Sequence, residues 1–191
     1  MQRIAYAAMA KVFAVVLVIV GAAAIFGGSF AHSFITDQLS QEEISMPTED
    51  GISSLSEESQ KVLTPFIGQE LTTGIQAKAF ADNYIYEHMQ NIADGRTYEA
   101  VSGEYTKMAN DPDADQDELA TLAAQRQQLF MGSTLRGTLL NAYGWWLVGS
   151  IAFYVGVGAI VAGVVLGGLG WGVLRPKKDA TEAAATAPAT E

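Results

Sequence analysis

GTLLNAYGWWLVGSIAFYVGVGAIVAGVVLGGLGWGVL, from Gly137 to Leu174, runs for thirty-eight residues without a charged side chain. A hydrocarbon core of ~30 Å is crossed by about 20 apolar residues of helix. Two crossings and a turn do not fit in this length, so the stretch predicts one. Its aromatic residues set the limits. Tyr143, Trp145 and Trp146 stand near one end and Trp171 near the other, and Trp and Tyr favour the headgroup level as interface anchors. Trp146 and Trp171 are 25 residues apart, or ~38 Å at ~1.5 Å per residue. That is one tilted crossing with a core at about 147–170.

Working outward, a second uncharged run, VFAVVLVIVGAAAIFGGSFA, covers Val12 to Ala31. It also meets the length requirement. Its basic start and the Ser29-Phe30-Ala31 stretch leave a cleaved signal peptide as the alternative, although an apolar signal core is usually only about 7–15 residues. Cleavage would leave a single-pass chain with its N-terminus outside. Arg3 and Lys11 precede the first run, and Arg175, Lys177 and Lys178 follow the second. Lys and Arg concentrate on the cytoplasmic side of spans, which puts both termini inside. Between His32 and Arg136 there are eighteen acidic and six basic residues, a net −12. Such a segment repels nucleic acid and anionic headgroups and attracts cations or a basic protein surface. With no cysteine, an exported domain must hold by packing alone.

The sequence therefore predicts an all-α membrane protein: two transmembrane helices with a small helical extracytoplasmic domain between them. Residues 1–11 form the cytoplasmic start, 12–34 the first span and 35–136 the acidic domain. Residues 137–174 form the second span, and 175–191 a cytoplasmic basic flank with a tail of Ala, Thr, Pro and Glu. That tail has no apolar face to bury and is expected to be disordered.

Within the acidic domain, 37–65 reads as irregular, broken by Pro47, Gly51 and Pro65, with Ile44 and Met46 as its apolar contacts. A helix is expected from about Gln69, carrying Phe80, Tyr84 and His88 every four residues. Asp94-Gly95 should end it. Thr97 should cap a short helix bearing Tyr98, Val101, Tyr105 and Met108. One long helix is then expected from about Asp117 to Leu174, with Gly132, Gly137 or Gly144 as places to kink. The two shorter helices should pack on it.

Candidate sites are few. Asp111, Asp113, Asp115 and Asp117 alternate as carboxylates could around a hard cation. The EF-hand loop needs Gly at its sixth position and Glu at its twelfth, and these are Gln116 and Leu122. The plainer reading is a polar loop with acids at a helix N-terminus. His32 and His88 are the two histidines. Nothing in their spacing suggests the meeting that an iron site with two His and one carboxylate demands. Ala159, Gly163 and Gly167 repeat every four residues, as do Ala23 and Gly27, and small residues at this spacing let helices approach closely in lipid. They can serve the contact between the two spans, or contact with another copy or another membrane protein. Neither run carries a Lys, Arg, His, Asp or Glu, which argues against a pump or transporter acting alone.

The order of several short stretches resembles a family of uncharacterised two-span membrane proteins of actinobacteria. These stretches are Ile35-Thr36-Asp37-Gln38-Leu39 leading to Glu43-Ile44-Ser45-Met46, then Ala77 to Asp82, Asp94 to Tyr98, and Thr134-Leu135-Arg136. The resemblance spans about residues 10–170. It implies a bacterial plasma membrane and a two-pass topology, and no catalytic residue. The label of aromatic ring-opening dioxygenase often attached to that family finds no support in two unconverging histidines. The expectation is a non-enzymatic structural or interaction protein without a cofactor. Its partners would be the lipid bilayer and another membrane protein or a second copy, with no nucleic acid, and it could be an accessory subunit of a larger membrane or respiratory complex. The alternative is a sensor that binds an extracytoplasmic cation or small ligand.

Overall fold

A computed structural model describes the backbone of residues 2–173 and the side chains of 5–172. The expected flank and tail at 175–191 lie outside the described residues. Among these residues the chain is helical throughout, apart from its loops and one isolated antiparallel bridge between Ser45 and Glu70. The helices are α1 (Gln2–Gln41), α2 (Glu49–Ile52), α3 (Glu57–Leu63), α4 (Gly74–Ala79), α5 (Tyr86–Ile92), α6 (Tyr98–Ala109) and α7 (Gln116–Gly168). A π-helical segment, Phe80–Ile85, joins α4 to α5, and another, Leu169–Val173, follows α7. The chain divides into two compact units: Met1–Gly28 with Ile151–Glu191, and Ser29–Ser150. Both α1 and α7 contribute to each.

In the first unit α1 and α7 run antiparallel, and their facing positions are small. Ala7, Ala14, Gly21 and Gly28 are buried at intervals of seven on α1, as are Gly156, Gly163 and Gly170 toward the end of the chain. A seven-residue repeat keeps one stripe of a helix turned toward its partner. The backbones meet directly. A Cβ on Gly156 would lie 2.6 Å from the Gly21 carbonyl oxygen, and one on Gly21 would lie 2.7 Å from that of Gly156. Seven residues along, a Cβ on Gly163 would lie 2.9 Å from the Ala14 carbonyl oxygen. The bulky residues face outward instead: Val12, Phe13, Val16, Ile19, Phe26, Tyr154, Val161 and Val165 are all exposed. By length and composition α1 and α7 are long and apolar enough to cross a membrane, and only 11% and 17% of their most apolar windows are buried.

The second unit is packed the opposite way, with large apolar residues inside. Ile35 and Leu39 of α1, Met46, Ile52, Leu55, Leu63, Leu71 and Leu139 of α7 form its main core. Leu63 and Leu71 are 0% exposed, and burying a Leu contributes about 1.5–3 kcal/mol. A smaller cluster joins Ala93, Val101, Leu122 and Leu129.

The expected irregular stretch at 37–65 is a correction: it is largely helical. α1 continues to Gln41. The Thr48 hydroxyl accepts from Gly51 N to start α2, and the Ser56 hydroxyl accepts from Ser59 N to start α3. Helices of 4 and 7 residues have no stability of their own. They persist because Ile52, Leu55 and Leu63 enter the core, a non-local cause that periodicity does not reveal. The helix expected from Gln69 begins at Gly74 for a similar reason. Residues 69–71 are taken up by pairing with 44–46, through Met46 N donating to Gln69 O and Leu71 N to Ile44 O, both at 2.8 Å. Ile44 and Met46 do pack against the core. Thr73 and Gln76 form a capping box that starts α4.

Asp94 and Gly95 adopt φ of 52° and 78° just past α5, the left-handed geometry that stops a helix. Thr97 caps α6. α7 runs as unbroken α-helix past Gly132, Gly137 and Gly144 and gives way to the π segment after Gly168. Gly132 is needed for contact: a Cβ there would lie 2.7 Å from Met89 Cγ.

Candidate functional site

Charged and aromatic side chains gather along α7 within the second unit. Arg136 reaches back 54 residues, its Nη2 donating to Asp82 Oδ1 at 2.8 Å. Its guanidinium lies 5.0 Å from the Tyr86 ring centroid. Lys78, one turn before Asp82, donates to the other carboxylate oxygen and stands 5.6 Å from the Tyr143 ring centroid. Burial pushes the Asp82 carboxyl up, but hydrogen bonds from Lys78 and Arg136, with their charges, outweigh it and hold the group below the ordinary aspartate range. Glu87 is likewise held low. Burial raises it, but hydrogen bonds from the Ser56 hydroxyl and N–H, with the proximity of Ser59 and His88, outweigh that.

Beside this network, α5, the 95–97 turn and α7 enclose a cleft of about 330 Å³, lined in part by Tyr86, Gln90, Arg96, Thr97, Ser133 and Arg136. Arg96 is already committed to Ala93 O, Glu104 and Gln125. Arg136 Nε is buried and has no hydrogen-bond partner among the described residues. Such an arrangement can hydrogen-bond and stack.

Each histidine has its own partners. His32 stacks on Trp146 with ring centroids 4.1 Å apart, and its Nε2 lies 2.9 Å from Ser150 Oγ and 3.0 Å from the Trp146 carbonyl. His88 follows Tyr84 at 4.4 Å and Phe80 precedes it at 4.9 Å, the column expected from the four-residue spacing, although His88 itself is exposed.

The aspartates at 111–117 are used locally. Asp111 Oδ1 accepts from Asp113 N at 3.0 Å, and Asp115 Oδ1 accepts from Asp117 N and Glu118 N at the start of α7. Among the described residues no three His, Cys, Asp or Glu side chains gather as a metal site would need. Of the small residues, Gly163 lies in the helix contact, and Gly167 approaches Ala14 and Trp171. Ala159 is half-buried. Ala23 and Gly27 are not in that contact: Ala23 is exposed and a Cβ on Gly27 would meet nothing within 4 Å. The contact stripe advances by seven through 14, 21 and 28, and 23 and 27 fall off it. Trp145 points outward, Trp146 packs inside the second unit against His32 and Gly74, and Trp171 lies 5.6 Å from Lys11 Nζ.

Sequence reasoning missed Asp82, Lys78 and Arg136 as a group, because their pairing depends on tertiary contact across 54 residues. It also missed Gly21 and Gly156, for which a signal exists: Ala or Gly recurs every seven residues at 7, 14, 21 and 28, and Gly at 149, 156, 163 and 170. No known protein family, curated protein or solved structure matches the chain.

Proposed function

We propose that this chain is a two-span protein of the plasma membrane, with both termini cytoplasmic and the acidic 35–136 domain outside, and that it serves as a non-enzymatic structural or interaction protein. One observation carries the membrane reading. The helical pair of 5–28 and 151–172 turns its bulky apolar side chains outward and buries Gly21, Gly28, Gly156, Gly163 and Gly170. In water this exposes a large apolar surface at a prohibitive cost. In lipid it is the expected packing, because the surroundings are as apolar as Leu and small residues let the backbones meet. The basic residues beside both runs orient it.

The outer unit then offers an acidic surface to a partner in the same membrane, as an accessory subunit of a larger complex would. The native chain lacks cysteine, so single substitutions report topology cleanly. Ser54→Cys should react with a membrane-impermeant maleimide on intact cells, and Ala185→Cys should react only after lysis. The opposite pattern overturns the orientation. For the interaction role, a tagged copy purified in mild detergent should bring down one stoichiometric membrane protein. A lone monomer in several detergents would remove that role.

A further inference from the structure

The first unit has a groove on its outward surface, about 290 Å³ in volume, between α1 and the end of α7. Ala14, Gly163 and Gly167 form its floor, Val15, Ile19 and Val164 stand along its sides, and the Trp171 indole closes one end. We infer that this groove binds one anionic phospholipid, with an acyl chain along the glycine floor and the phosphate at Lys11. The inference rests on the membrane reading above and goes beyond it by naming a ligand.

The shape follows from the sequence. Small residues at 14, 163 and 167 leave a furrow that the flanking Val and Ile side chains deepen. A furrow lined only by aliphatic groups, glycine and an indole forfeits dispersion contacts unless an apolar chain fills it. Lys11 chooses the headgroup. Its Nζ lies 5.6 Å from the centroid of the Trp171 ring that ends the groove, and its stem packs where a Cβ on Gly170 would lie 3.0 Å from Lys11 Cγ. Lys stems extend along apolar surface and hold the ammonium at headgroup depth, where Trp also resides. Residues 5–28 and 151–173 contain no Asp or Glu, so among the described residues of this unit Lys11 meets no carboxylate. A lipid phosphate supplies the anion.

The test uses the full chain in phosphatidylcholine vesicles containing a small fraction of lipid brominated on its acyl chains. That lipid carries either a phosphatidylglycerol or a phosphatidylcholine headgroup. Bromine quenches indole fluorescence on contact, and the Trp171 contribution is the difference between the native chain and Trp171→Phe. Trp171 should be quenched at about fivefold lower content of the anionic lipid. Lys11→Gln should abolish that preference and Lys11→Arg should retain it. Equal quenching by both headgroups, or a preference that survives in Lys11→Gln, overturns the site and leaves the membrane reading standing. Little quenching of Trp171 by either lipid is the result expected if a second copy of the chain fills the groove, and it overturns the site alone. No quenching of any of the three tryptophans by either lipid overturns both.

Discussion

The two units use the same pair of long helices and invert the rule for what goes inside. In the 29–150 unit, α1 and α7 present Ile35, Leu39, Leu129 and Leu139 inward, and the unit as a whole carries eighteen acidic and six basic residues. In the other, the same helices present Ala14, Gly21, Gly156 and Gly163 to each other and Val, Ile and Phe outward. Water drives the first arrangement by expelling apolar surface. In the proposed membrane placement the second gains nothing from that effect and depends on close backbone approach. What a helix buries depends on its solvent, and within α1 the buried residue type changes from small to large between Gly28 and Ile35.

That contrast breaks most readily at the backbone contact. Gly156→Leu should be the most damaging single change, costing more than about 3 kcal/mol, because its Cβ meets the Gly21 carbonyl and cannot be accommodated by a rotamer shift. Gly27→Leu, on the same helical pair with open space around it, should change stability by less than about 0.5 kcal/mol. Thermal unfolding in a mild detergent measures both. If the two variants behave alike, the glycine seam is not what holds the first unit.

Core truncation tests the other unit. Leu63→Ala or Leu71→Ala should cost about 2–5 kcal/mol by loss of buried area and creation of a cavity, read from denaturant unfolding. The same truncation at an outward residue such as Val161 should have little effect in lipid.

A smaller effect is expected at the Lys78–Asp82–Arg136 network. Asp82→Asn removes the negative charge and one of the two acceptor oxygens that serve Lys78 and Arg136, and should cost about 1–2 kcal/mol. Its pH dependence carries a definite sign. A carboxylate held below its ordinary value of 3.8 stabilises the fold above that value, and the contribution disappears as pH falls through the lower folded-state value. The native chain should therefore lose stability below about pH 4 more steeply than Asp82→Asn.

The smallest effect concerns the aspartates at 111–117. Asp115 spends one carboxylate oxygen on two backbone N–H groups, so millimolar calcium, compared with magnesium at equal ionic strength, should shift the melting temperature by less than about 1 °C. A larger rise that vanishes in Asp113→Ala/Asp115→Ala would restore the cation-sensing reading.

Much of this was legible in residue order, and the exceptions share a cause. The long helices, the Asp94-Gly95 stop, the Thr97 cap and the Phe80–Tyr84–His88 column each depend on residues within a few positions of one another, and such signals survive in one dimension. α2 and α3 were not legible, because helices this short exist only once Ile52 and Leu63 have a core to enter. Gly74 gave no sign of its role either: a Cβ there would lie 2.3 Å from the Cβ of Trp146, seventy-two residues away.

Alone, the amino-acid order determined that the chain is helical, where its apolar runs lie and how charge is divided along it, since helix period and hydropathy are properties of neighbours. Only the tertiary structure decided that Gly21 and Gly156, rather than Ala23 and Gly27, line the helical seam, that Asp82 and Arg136 meet, and that Lys11 stands at the end of an apolar groove. Each of these depends on the rotation of one helix against another, which is settled by packing across the whole fold.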